Sequence, residues 1–129
     1  MKPETKGIKG IIKSFGFAWA GLKLLFFKER NFTIQFFWGI AVLVLGFLFQ
    51  ISNSEWFVII ISIIVVLAME IFNSALETLA DTITEEENSK IKRAKDLAAG
   101  AVLLTAIGAA VIGTMIFLPK FVELIMNYI

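Results

Sequence analysis

Three long stretches of the chain carry little or no charge, and each is long enough to cross a membrane. Residues 32–51 are uncharged, and at about 1.5 Å of helical rise per residue they match a hydrocarbon core of about 30 Å. Residues 97–118 are also uncharged and run up to Pro119, which predicts a helix end because proline interrupts the backbone hydrogen bonds. Residues 56–80 are apolar apart from a few acids and amides. The pattern predicts an all-α integral membrane protein with three transmembrane helices.

The link between the first two spans is short. Only residues 52–55 separate them, so we expect an antiparallel helical hairpin. Ser54 and Glu55 are suited to cap the second span just before Trp56, a residue type typical of the membrane interface.

Ahead of the first span, apolar residues recur every three or four positions and lysines occupy the other side. This periodicity predicts an amphipathic helix over about residues 5–29 that lies on the membrane surface. A signal peptide would need an uninterrupted apolar core and a cleavage site where this stretch is charged, so we disfavour it. The apolar positions are Ile8, Ile11, Ile12, Phe15, Trp19, Leu22 and Phe26, the lysines are Lys6, Lys9 and Lys13, and the interrupting charges are Lys23, Lys28, Glu29 and Arg30.

Composition agrees with a membrane protein and excludes several kinds of site. Of the 129 residues, 58% are hydrophobic and 18% are charged, against about 45–50% and about 25% in soluble domains. The length fits one domain, residues 1–129. Without Cys or His there is no zinc finger, disulfide, thiol nucleophile or imidazole base. A net charge of +1 gives no reason to expect a nucleic-acid partner.

Basic residues predict the orientation. Seven precede the first span, four lie between the second and third spans, one follows, and residues 52–55 have none. By the positive-inside rule, the N-terminus is cytoplasmic and the C-terminus is outside.

One face of the second span is polar. Glu70, Asn73, Glu77 and Asp81 follow at steps of three, four and four residues, which places them within about 80° on a helix. A carboxylate at the centre of a span costs roughly 2.5–3.5 kcal/mol, so it normally lines an interior site. In the simpler alternative, the two outermost acids only pair with lysines of the second loop. Those lysines are Lys90, Lys92 and Lys95.

These residue types suit phosphoryl transfer. Acids and an amide offer the oxygen ligands that Mg²⁺ shares with phosphates, and a deep carboxylate can act as a base. Two non-enzymatic alternatives stay open: a structural membrane adaptor, and a proton or cation pathway in which Glu70 and Glu77 bind ions in transit. A pathway needs polar residues beyond Glu70, and residues 58–69 supply only Ser62.

Other features are weaker. Lys95 at the mouth of the third span is suited to neutralise phosphates, and Asp96 beside it either joins the site or caps the helix. Glu29 is either a ligand or a solvated charge. The third span is rich in Ala and Gly, which favours close helix packing, and three spans enclose so little volume that a buried site needs neighbouring subunits.

Two segments resemble a known signature. EIFNSALETLAD (residues 70–81) and RAKDLAAGAVLL (93–104) are similar to the motifs of the prokaryotic diacylglycerol kinase family, small integral-membrane lipid kinases; FGFAWAGLK (15–23) and KERNF (28–32) extend the resemblance. The resemblance implies a homotrimer of three-span subunits with a surface helix. It also implies transfer of the γ-phosphate of MgATP to a lipid hydroxyl, at sites between subunits, in the bacterial cytoplasmic membrane.

The resemblance implies roles for individual residues. Glu70 matches the catalytic base, and Glu29 and Glu77 match the Mg²⁺ ligands. The ATP-binding positions are Phe17, Glu29, Asn73, Glu77, Asp81, Glu86, Asn88, Lys95 and Asp96, and the lipid-binding positions are Trp19, Asn31, Trp56, Glu70 and Ala99.

The chain also departs from the family pattern. Glu86-Glu87-Asn88 replaces a Glu-Tyr-His-like loop, Phe17 lacks the hydroxyl of a common Tyr, and Gly10 stands where some relatives carry Arg.

Three short motifs resemble the undecaprenol kinase branch of the family more than the diacylglycerol branch. They are KERN (28–31), EWF (55–57) and FLPK (117–120). We therefore expect undecaprenol, ahead of diacylglycerol, as the lipid.

Overall fold

Four helices make up the structure, a computed structural model that describes residues 7–83 and 88–127. They are α1 (Ile8–Lys28), α2 (Arg30–Leu48), α3 (Asn53–Ile83) and α4 (Ser89–Met126). All four are long and apolar enough to cross a membrane. The prediction of an all-α integral membrane protein is confirmed, whereas the placement of α1 on the membrane surface stays a prediction.

The joint between α1 and α2 is a single residue, Glu29, whose backbone is extended at φ −101° and ψ 103°. The Thr33 hydroxyl lies 2.7 Å from the Phe26 carbonyl oxygen and 3.1 Å from that of Glu29. The Phe26 ring meets Phe36 of α2 edge-on, with centroids 5.4 Å apart. These contacts hold the last turn of α1 against the first turn of α2 and fix the position of Glu29.

A Schellman motif ends α2. Gln50 adopts a left-handed conformation at φ 49°. Its N–H donates to the Phe47 carbonyl at 3.3 Å, and the Ile51 N–H donates to the Gly46 carbonyl at 3.2 Å. These two bonds satisfy carbonyls at the helix end. As a result α2 ends at Leu48, earlier than the predicted limit at residue 51.

A capping box begins α3. The Ser52 Oγ accepts from the Glu55 N–H at 3.3 Å, and the Glu55 Oε2 accepts from the Ser52 N–H at 2.7 Å. The N-cap is therefore Ser52 and not Ser54, because the serine-to-glutamate spacing of a capping box starts two residues earlier. The predicted part of Glu55 in the cap is confirmed. Lys120 Nζ lies 3.2 Å from Glu55 Oε1 and ties α4 to this turn.

Buried residues on α2 recur every seven positions. They are Phe32, Gly39 and Gly46, and the two glycines lie against α3. A Cβ added at Gly39 would lie 3.1 Å from Ile63 Cγ2, and one added at Gly46 would lie 2.7 Å from Trp56 Cη2. The pairs progress in opposite directions along the two helices, which confirms the antiparallel hairpin. Glycine allows this close approach because it has no side chain.

Replacing Gly46 with Val is expected to destabilise the hairpin by about 1–3 kcal/mol, because the new side chain overlaps the Trp56 ring. Gly16→Val on α1 is the matched control, since open space surrounds Gly16. The measurement is the midpoint of thermal unfolding in detergent. Equal shifts in both variants would contradict tight packing at Gly46.

Helix α4 begins at Ser89, earlier in the chain than the predicted start of the third span at residue 97. The Asn88 side chain accepts from the N–H groups of Lys90 and Ile91 at 3.0 Å and 3.3 Å. Asn88 is thus the N-cap, and the suggestion that Asp96 caps this helix is wrong. Asp96 lies inside α4 and pairs with Lys92 at 2.6 Å.

Pro119 does not end α4, which continues to Met126. The prediction of a helix end at Pro119 is wrong because contacts on both sides of the proline hold the helix in place. Phe117 and Phe121 both meet the ring of Phe49, with centroids 6.1 Å and 6.3 Å apart. The Lys120–Glu55 ion pair adds a third attachment.

Candidate functional site

The polar face of α3 changes from buried to exposed along the helix. Glu70 is 3% exposed, and Asn73 and Ser74 are also buried. Glu77 is half-buried and Asp81 is exposed. The predicted row of polar residues therefore leads from a closed interior to the end of α3 that the charge pattern assigns to the cytoplasm.

Glu70 is bonded across the hairpin. The Gln35 Nε2 of α2 donates to the Glu70 Oε2 at 3.1 Å. Glu70 is thus a carboxylate shielded from solvent and held by a neutral amide, an environment that suits a base better than an exposed position would.

Asn73 and Glu77 form the next layer. The Asn73 Nδ2 donates to the Glu77 Oε1 at 3.1 Å. The Asn73 Oδ1 is buried and has no hydrogen-bond partner. An amide oxygen and a carboxylate side by side are the hard oxygen donors that Mg²⁺ prefers.

Asp81 pairs with Lys95, whose Nζ lies 2.9 Å from Asp81 Oδ1. This hydrogen bond raises the pKa of Lys95, which lies outside the predicted spans, so the ammonium group stays charged. The simpler alternative is thus met for the pairing of Asp81 with a lysine, whereas Glu77 bonds to Asn73. The pair joins α3 to α4 and places a cation beside the exposed end of the polar face.

Glu29 approaches the same region from the joint between α1 and α2. It is half-buried and lines a cleft of about 760 Å³ together with Ser74 and Thr78 of α3. Both Glu29 and Glu77 lie within electrostatic range of Glu70. The structure thus brings three acids from two elements toward one region, although no three acids in residues 7–83 and 88–127 are close enough to hold a metal by themselves.

An apolar groove of about 500 Å³ lies between α2, α3 and α4. Gly39 and Val42 line one wall, Ile63 and Val66 another, and small residues of α4 the third. Gln35 also lines the groove. The groove therefore begins at the residue that bonds to Glu70.

Several candidate residues lie far from Glu70 or at exposed positions in the single chain. Trp56 packs against Phe47 with ring centroids 4.8 Å apart, fourteen residues from Glu70 along α3, which is about 21 Å of helix. Trp19 is 71% exposed on α1. Phe17, Asn31, Asn88, Asp96 and Ala99 are exposed, and Glu86 lies outside the described residues.

Two polar residues of this region were not singled out from the sequence. Gln35 is half-buried and bonds to Glu70, and Ser74 is 5% exposed beside Asn73. A glutamine within an otherwise apolar span was the available signal, because polar side chains in spans commonly bond to a neighbouring helix.

Comparison with known proteins decides the family. The family model "Prokaryotic diacylglycerol kinase" matches residues 16–117. The chain is 38% identical over 119 residues to the undecaprenol kinase of Bacillus subtilis, covering 92% of this chain and 97% of that protein. It is 37% identical over 115 residues to a diacylglycerol kinase of Synechocystis, covering 88% of this chain and 66% of that longer protein. The diacylglycerol kinase of Escherichia coli is 33% identical over 114 residues, covering 86% of this chain and 91% of that protein.

The chain belongs to the prokaryotic diacylglycerol kinase family. It is a lipid kinase, and its reaction therefore depends on a nucleotide. This membership agrees with the resemblance read from the two motifs, residues 70–81 and 93–104.

Proposed function

We propose that this kinase transfers the γ-phosphate of MgATP to the hydroxyl of a membrane lipid alcohol, with Glu70 as the catalytic base. The observation that carries the proposal is a buried carboxylate that bonds to Gln35, a residue at one end of an apolar groove. A lipid tail in that groove would bring its hydroxyl toward Glu70. The Glu70 carboxylate would take the hydroxyl proton while the oxygen bonds to phosphorus and the bond from phosphorus to the ADP oxygen breaks.

The nucleotide side is proposed to lie at the exposed end of the polar face. Glu29, Asn73 and Glu77 would hold Mg²⁺ together with the phosphates, and the unpartnered Asn73 oxygen supports this assignment. The bound ion would neutralise phosphate charge. Lys95 would add a cation at the phosphates, and Asp81 would orient it through their hydrogen bond. The remaining proposed ATP contacts are Phe17, Glu86, Asn88 and Asp96.

The lipid side is proposed to follow α2, α3 and α4. Trp19, Asn31, Trp56 and Ala99 are the further proposed lipid contacts beside Glu70. We favour undecaprenol over diacylglycerol because the relative with the fullest mutual coverage among those compared is the Bacillus subtilis undecaprenol kinase. The groove is lined almost wholly by apolar side chains, as an isoprenoid or acyl tail requires.

The function is tested with purified protein in lipid, labelled ATP and Mg²⁺, offered undecaprenol and diacylglycerol separately. We expect a labelled lipid phosphate, formed faster with undecaprenol. A faster reaction with diacylglycerol would overturn the substrate preference alone. No labelled product from either alcohol, or from a panel of other lipid alcohols, would overturn the function.

We further propose a homotrimer in the bacterial cytoplasmic membrane, with the N-terminus cytoplasmic and the C-terminus outside. No described residue of α4 is buried in the single chain, and open space surrounds Gly100 and Gly108. Small residues on an uncovered helix favour close packing with another helix in lipid. A site that draws acids from several elements would then be completed by a neighbouring subunit.

Mixed trimers test the shared site. At a low MgATP concentration, where a Glu70→Gln chain and a Glu29→Ala chain each have little activity alone, the two are expected to recover part of the activity when assembled together. Recovery follows because, if these residues meet across a subunit boundary, some sites in the mixture hold both native acids. Radiolabel transfer measured against the mixing ratio reports it. Stable mixed trimers without recovery would contradict a shared site of this composition.

A further inference from the structure

We propose that Gln35 is a positioning residue, which orients the Glu70 carboxylate for removal of the lipid hydroxyl proton. The inference rests on the proposed function, because it takes Glu70 as the base. Gln35 lies on α2, outside the two motifs that carry the family resemblance. Its placement is therefore visible only where α2 and α3 pack together.

The hydrogen bond from Gln35 restricts the Glu70 carboxylate, which would otherwise rotate. The last torsion of a glutamate side chain is broad, so a carboxylate without partners samples many orientations. Gln35 Nε2 fixes Glu70 Oε2 at 3.1 Å, and within the described residues this is the carboxylate's one side-chain hydrogen bond. Glu70 is 3% exposed, so solvent cannot replace the bond. With Oε2 held, the other oxygen is left free to receive the hydroxyl proton.

The amide is the right type of partner for a base. A lysine or arginine at position 35 would form an ion pair and stabilise the charged carboxylate, which opposes protonation. A neutral amide orients the carboxylate without adding a counter-charge. Gln35 thus combines two properties that a base needs, a fixed direction and an unneutralised charge.

The position of Gln35 links the base to the groove. Gly39, one turn further along α2, leaves so little room that an added Cβ would lie 3.1 Å from Ile63 Cγ2, and the missing side chain lets the two backbones approach closely. Gln35 lines the groove and also bonds to Glu70. Its Oε1 is buried without a partner, which costs free energy that a purely packing role does not explain.

Two substitutions separate positioning from packing. Gln35→Met keeps an unbranched side chain of similar length but removes the donor, and it fits apolar surroundings. Gln35→His restores a ring N–H donor but packs less well. A packing role predicts that Met is the better replacement, whereas positioning predicts that His is. Ser62→Ala is the control, because the Ser62 hydroxyl bonds only within α3, to the Val58 carbonyl at 2.8 Å.

The kinase assay in lipid gives kcat and the KM for MgATP for each variant. We expect Gln35→Met to lower kcat by about 10- to 100-fold with an unchanged KM for MgATP, since a misplaced catalytic group costs up to about 100-fold. Gln35→His should recover most of that loss, and Ser62→Ala should match the wild type. A kcat for Gln35→Met within about threefold of the wild type would overturn the inference, as would a His variant no better than Met.

Failure of this inference differs from failure of the proposed function. If the wild type phosphorylates no lipid alcohol, or if Glu70→Gln stays active, the proposed function fails and the positioning role falls with it. If Glu70→Gln is inactive while Gln35→Met is as active as the wild type, the proposed base stands and only the positioning role is wrong.

Discussion

Replacing Glu70 with Gln is expected to lower kcat by about 10²- to 10⁴-fold, the usual contribution of general-base catalysis. The amide keeps the size of the side chain and its place against Gln35, but it cannot take up the hydroxyl proton. Radiolabel transfer from ATP to the lipid alcohol measures the effect. Insertion into the membrane and assembly should be preserved, as size-exclusion elution in detergent would show.

Glu123→Gln is the matched control for this substitution. It makes the same chemical change at an exposed position near the end of α4, and its kcat should equal that of the wild type. A Glu70→Gln enzyme that keeps more than about a tenth of the activity would argue against the base, since that loss is below the usual contribution of a general base. Full activity would show that Glu70 is not the base.

The second large effect concerns Mg²⁺. Glu77→Ala and Glu29→Ala are each expected to weaken the apparent affinity for MgATP by at least about 10- to 100-fold, since that is the usual cost of losing a residue that only supports a metal ligand. Glu77 accepts from Asn73 at 3.1 Å, so its loss also frees the neighbouring amide. The KM for the lipid alcohol should change far less, because the groove lies on the other side of Glu70.

Mg²⁺ titrations of both variants at fixed ATP check this prediction. The activity curves should shift to higher Mg²⁺, and Glu123→Gln should give the wild-type curve. Curves that coincide with the wild type in both acid variants would contradict a role for these carboxylates in holding the ion. A change confined to the KM for the lipid would place them on the lipid side instead.

Local chemistry shows why the helix ends were only partly predictable. The Ser52-to-Glu55 spacing of the capping box is present in the sequence, but Ser54 offered a competing cap. The Schellman motif that ends α2 uses Gln50 in a left-handed conformation, where glycine is the usual signal. At Pro119 the local rule predicted a stop, and contacts from Phe49 and Glu55, far away in the chain, outweighed it.

The sequence by itself determined the all-α membrane architecture, the antiparallel hairpin and the polar row that starts at Glu70. It could do so because hydropathy and helical periodicity are properties of neighbouring residues, and a helix turns them directly into lipid-facing and polar faces. The family motifs then assigned a chemistry to that row.

Only the tertiary structure decided what the row contacts. Gln35 meets Glu70 across thirty-five positions, Glu29 reaches the cleft beside Ser74 from a joint between two helices, and Lys95 meets Asp81 from α4. No periodicity encodes such pairs, because they depend on how closely helices approach and in which register they pack. Here Gly39 and Gly46 set that approach, since the absence of a side chain allows α3 to lie against α2.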